Sequence, residues 1–144
     1  MIIAAYLLVG RHWMDLAAIK EKAEAVGLNR VAQYVIGCVY WITINSLLEE
    51  YAYRWFIFRQ CKVLLRHGGA AVLLTAGCFT LHHVFALYVW FDWRITLAGS
   101  IGVFIGGAVW SWCYQRYQSI WSPYISHAIV DIAVFVIGAW MFFG

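Results

Sequence analysis

Two adjacent carboxylates, Glu49 and Glu50, are followed one helical turn later by Arg54, all within a run of residues apolar enough to cross a membrane. Each charged side chain placed in hydrocarbon costs roughly 2.5 to 3.5 kcal/mol on insertion scales, so a chain that keeps all three has a use for them. On a helix, Glu50 and Arg54 share one face and can pair, each lowering the other's cost of burial. Glu49 is turned about 100° away from Glu50 and lacks that partner, which leaves it able to take a proton from water. On a soluble helix Glu-Glu-x-x-x-Arg is a surface salt bridge of small consequence; inside a span it marks a functional site.

Two later apolar runs also carry polar groups that packing does not need: Phe79-x-x-x-His83, with His82 beside it, and His127-x-x-x-Asp131. Short connections make successive helices alternate in direction, so depth follows from the helix rise. Measured from the side holding the loop after Phe58, Glu49 and Asp131 lie roughly 12 to 15 Å deep, His127 is shallower and His83 lies about 20 Å deep. Four groups from three helices therefore converge within about 10 Å of depth. His82 reads as an interhelical hydrogen bonder, whereas His83 and His127 can each share a site with the Glu49 carboxylate. A carboxylate and two imidazoles can activate water and stabilise an oxyanion, the two requirements of amide hydrolysis. The same donors could also bind a metal such as zinc.

In this order on successive helices, Glu49-Glu50-x-x-x-Arg54, Phe79-x-x-x-His83 and His127-x-x-x-Asp131 resemble the motifs of the CAAX prenyl protease and bacteriocin-processing family of intramembrane proteases, also called the Abi family. The resemblance runs from about Leu47 to the C-terminus. It implies an intramembrane endopeptidase in which Glu49 and His83 activate the attacking water, His127 and Asp131 support the oxyanion, and Glu50 with Arg54 supports the site. It further implies glutamate-dependent chemistry without a cofactor, with zinc the alternative, and a membrane protein or lipidated peptide as substrate. Asp131 stands where Asn is commoner, and four clear spans stand where more are usual. Two other functions compete. One is a family member with an inactive site, kept as a membrane binding or immunity protein. The other is a haem-binding electron carrier using His83 and His127, which gives Glu49, Glu50 and Arg54 nothing to do.

The elements that must position these residues follow from composition and hydrophobic pattern. Of the 144 residues, 65% are hydrophobic and 12% charged, and the mean hydropathy is +0.75, as expected of a multi-pass integral membrane protein of the cell inner membrane. The formal charge of +3 is spread over loops rather than gathered into a stripe, which gives no basis for nucleic-acid binding. Cys38, Cys61, Cys78 and Cys113 have no metal or redox spacing and read as small apolar packers.

The pattern predicts a single all-α membrane domain over residues 1–144, a bundle of about four transmembrane helices. Their expected ranges are Val31 to Phe58, Ala70 to Phe91, Ile95 to Trp112 and Pro123 to Phe143. A basic loop, Arg59 to His67, joins the first two. Before them come an apolar segment, Met1 to Val9, too short to span, and an amphipathic surface helix from Asp15 with Leu16, Ile19, Ala23 and Val26 on one face and Gly27 as its stop. Ala98, Gly102 and Gly106 form a small-residue stripe on the third span, expected to pack within the chain, with homo-oligomerisation as the alternative.

Overall fold

Four long helices, Val31–Leu65, Gly68–Trp90, Trp93–Tyr117 and Trp121–Phe143, are formed by the apolar runs. The computed structural model describes residues 2–144 and contains no strand among them. Short turns join consecutive helices, so neighbours run antiparallel. The chain is an all-α, multi-pass integral membrane protein.

The helix ends have local chemical causes. Arg66 and Gln118 close the first and third helices in left-handed conformation, with φ of 54° and 52°, each N–H bonding the carbonyl four residues back. The second helix begins at Gly68, where the His67 imidazole accepts from the Ala70 N–H. Asp92 caps the third by accepting from the Arg94 and Ile95 N–H groups. Pro123 lies in the first turn of the fourth, where a missing N–H is harmless.

The first helix departs from expectation in two ways. It continues past Phe58 to Leu65, because residues 58–65 bury Phe58 and Cys61 on one side and keep helix-forming polar residues on the other. The basic loop consequently shrinks to the turn at Arg66 and His67, and Arg59 and Lys62 ride on the helix. In addition, residues Tyr40–Asn45 and Tyr51–Ile57 wind as π-helix, bracketing an α-helical Ser46–Glu50. Such widened turns recur at functional sites, and here they flank the paired carboxylates.

The second and third helices pack most closely, and Gly107 permits it: an added Cβ would lie 3.2 Å from the Phe79 ring and 3.5 Å from the Ala76 backbone. The small-residue stripe does not serve this contact. Ala98 and Gly102 are exposed, and a Cβ on Gly102 would meet nothing within 4 Å. Turning the helix to bury the stripe would swing Thr96, Trp110, Ser111 and Tyr114, now buried, out toward lipid.

The fourth helix packs along the first, fastened by the Tyr34 hydroxyl to the Phe135 carbonyl at 2.6 Å and the Tyr124 hydroxyl to the Thr43 carbonyl at 3.2 Å. Its far end is covered by the N-terminal region. Ile2–Trp13 forms a short helical stub whose Ile2, Ile3 and Tyr6 pack against Ile19, Ile137 and Met141; Met1 lies outside the described residues. The surface helix, Leu16–Ala25, is capped by Asp15 and ends before Gly27, at φ +76°. It buries Ile19 and Ala23 but leaves Leu16 and Val26 exposed, so the apolar face is narrower than expected. Its Lys22 donates to the Val89 carbonyl at 2.7 Å, placing a cation at the C-terminal end of the second span.

Candidate active site

Glu50 and Arg54 are both fully buried and paired, with Nε to Oε2 at 2.9 Å and Nη2 to Oε1 at 3.2 Å. The guanidinium also lies 4.7 Å from the Phe79 ring centroid and 5.7 Å from that of Trp110, so aromatic faces replace part of its hydration. Glu50 has a second partner that helix geometry alone did not give. Its Oε1 is 2.9 Å from His127 Nδ1 on the fourth helix. A carboxylate can only accept, so Nδ1 carries the proton and the His127 ring is locked with Nε2 turned toward Glu49. Trp110 stacks on the same ring at 4.3 Å and 21°, and is itself held by donating from Nε1 to Ser126 Oγ at 3.1 Å.

On the second helix, His83 Nδ1 lies 3.0 Å from the Phe79 carbonyl oxygen, again an acceptor, so His83 also presents Nε2. The Phe79 ring fills the space between His83, His127 and Arg54. The two Nε2 atoms meet one oxygen of Glu49: Oε2 stands 3.9 Å from His83 and 3.7 Å from His127, buried and without a hydrogen-bond partner. The other oxygen, Oε1, accepts from Asn45 Nδ2 at 2.8 Å. It also faces His82 Nε2 at 3.7 Å, so His82 lies beside the site at a distance too long for the interhelical hydrogen bond expected of it. The His82 side chain is 56% exposed, which opens the site on that side.

Asp131 completes the group. One of its oxygens is 3.7 Å from His127 Nε2 and the other is 2.6 Å from Ser46 Oγ. Glu49, His83, His127 and Asp131 are thus brought together, with Glu50 and Arg54 beneath them. Sequence reasoning missed Asn45, Ser46 and Trp110. Asn45 and Ser46 could have been suspected as polar residues inside a span, one turn before the carboxylates; Trp110 carried no signal that separated it from the interfacial tryptophans. Among the described residues no set of three or more His, Cys, Asp or Glu donors is arranged to hold a metal ion. The imidazoles approach Glu49 through different oxygens, His82 at Oε1 and the other two at Oε2.

A family model described as type II CAAX prenyl endopeptidase Rce1-like matches residues 31–133. The chain belongs to this family. No curated protein and no solved structure is significantly similar to it. The family resemblance carried by the three motifs is therefore correct. The part that matches the CAAX endopeptidase model takes in every site residue from Asn45 to Asp131, and the N-terminal stub and surface helix precede it.

Proposed function

We propose that this CAAX-endopeptidase-like protein hydrolyses a peptide bond near or within the membrane, in a lipidated or membrane-embedded peptide, with Glu49 as general base. The observation that supports it is the unpartnered Oε2 of Glu49, facing two imidazole Nε2 atoms whose rings are pinned by their Nδ1 bonds. Separations of 3.7 to 3.9 Å are too long for direct hydrogen bonds and suit a water held between these atoms. Glu49 takes a proton from that water as its oxygen attacks the carbonyl carbon, and His83 Nε2 orients it. The oxyanion is supported by the protonated His127 through Nε2, with Asp131 beside it. Glu49 then passes its proton to the leaving nitrogen, the C–N bond breaks, and the products are a carboxylic acid and an amine.

Purified protein in detergent, given a fluorescence-quenched peptide with a farnesylated cysteine three residues from its C-terminus, is expected to cleave it and to spare the unprenylated peptide. Binding of the prenylated peptide without cleavage would favour an inactive member that serves in binding or immunity.

Two further outcomes follow. Turnover is expected to survive exhaustive chelation, since a carboxylate and two imidazoles hold the water without a metal; loss on stripping and recovery on adding zinc alone would reverse that assignment. Asp131→Ala is expected to lower turnover by about 10² to 10³, the usual loss when oxyanion support is removed. Asp131→Asn should keep most of it, because the amide oxygen still accepts from Ser46 while its NH₂ faces the site. Full activity of Asp131→Ala would make the third motif structural.

A further inference from the structure

We propose that Asn45 is a positioning residue for the catalytic base, fixing one oxygen of Glu49 so that the other is the one that meets the water. This rests on Glu49 being the base. Asn45 is the last residue of the π-helical segment Tyr40–Asn45, one turn before Glu49, and its Nδ2 lies 2.8 Å from Glu49 Oε1. Because the carboxylate only accepts, the amide must present its NH₂, which settles which way the Asn45 side chain is turned. A glutamate has three side-chain torsions and two equivalent oxygens; left unanchored, it samples several rotamers and its carboxylate turns over. The Asn45 bond removes that freedom. With Oε1 held, Oε2 points at His83 and His127 and makes no hydrogen bond of its own.

Among the described residues no other side chain hydrogen-bonds that oxygen. His82 approaches the same oxygen only to 3.7 Å and is largely exposed. Arg54 is engaged with Glu50. The residue type matters as much as its place. A lysine or arginine at position 45 would pair with Glu49 and weaken its basicity, and an aspartate would set a second carboxylate against it. An asparagine supplies a neutral donor that orients the base and leaves its charge available. A polar amide inside a span is kept only where it is bonded, and this one is bonded to the base.

The test compares Asn45→Leu, which keeps the volume and loses the donor, with Asn45→Gln, which keeps an NH₂ that can reach across one helical turn. With the farnesylated quenched peptide as probe, Asn45→Leu is expected to lower kcat by about 10²-fold, the scale of a misplaced catalytic group, with KM unchanged. Asn45→Gln should recover a large part of the loss. Native kcat in Asn45→Leu, or equal losses in both variants, overturns the proposal. Glu49→Gln assayed in parallel separates the two levels: if it is inactive while Asn45→Leu is fully active, only the Asn45 role is lost, and if it is itself active, the base assignment fails. A second measurement needs no substrate. In detergent unfolding of Asn45→Leu, Glu49→Leu and the double variant, the double variant is expected to lose less stability than the two single losses added, since either change alone removes the bond. Additive losses would show that the bond does not exist.

Discussion

Glu49→Gln is expected to abolish peptide hydrolysis while the protein still inserts and unfolds at its native midpoint. The substitution suits this site unusually well. The Gln oxygen can still accept from Asn45 Nδ2, and its NH₂ then takes the place of Oε2, facing the Nε2 atoms of His83 and His127. His83 Nε2 keeps an acceptor lone pair when its Nδ1 donates to the Phe79 carbonyl, so the new NH₂ finds a partner there. Geometry is retained and basicity is lost. General-base catalysis is worth about 10² to 10⁴ in rate, and the oxyanion support that remains cannot replace it, so turnover should fall at least that far. Near-native turnover in this variant, measured with the farnesylated peptide, would remove Glu49 as the base. A parallel fall in unfolding midpoint would show instead that the substitution had disturbed the fold.

How far the sequence reaches is clearest at the carboxylates themselves. The insertion cost of Glu49, Glu50 and Arg54 singled out the site, and helix rise alone was enough to bring His83, His127 and Asp131 to its depth. Both are properties of one helix at a time. What was not legible depends on how helices are turned toward one another. The Glu50–His127 bond joins the first and fourth spans, and its existence rests on the rotation of both. Asp131 was adjacent to His127 in the helical pattern, yet the shorter bond to that imidazole comes from Glu50, and Asp131 turns instead to Ser46. The outward-facing stripe of Ala98 and Gly102 fails for the same reason: spacing defines a stripe but not the direction it faces. The π-helical turns were invisible because the pattern assumes 3.6 residues per turn throughout.

The rotation that places Glu50 between two partners makes its removal the most damaging change to the fold. In Glu50→Gln, Arg54 stays fully buried with its charge unanswered, a loss of about 3 to 5 kcal/mol where one member of a buried pair is deleted. The neutral amide also cannot accept at both of its ends. If its oxygen keeps His127 Nδ1, its NH₂ is driven against the guanidinium; if it turns over, the NH₂ meets the Nδ1–H and the ring is released. Low yield of folded protein is therefore expected, together with loss of turnover in whatever folds. The compensated variant separates these effects. Glu50→Gln with Arg54→Met removes both buried charges, and replacing a buried ion pair by apolar or neutral groups is often neutral for stability, so folding yield and unfolding midpoint should largely return. Turnover should not. The paired substitution restores packing, but the carboxylate that offsets positive charge on His127 while oxyanion develops is still missing. A double variant that both folds and hydrolyses the farnesylated peptide like the native protein would confine Glu50 to holding Arg54. In that case an amide oxygen at position 50, accepting from Nδ1, together with the Trp110 stacking, would be enough to orient His127.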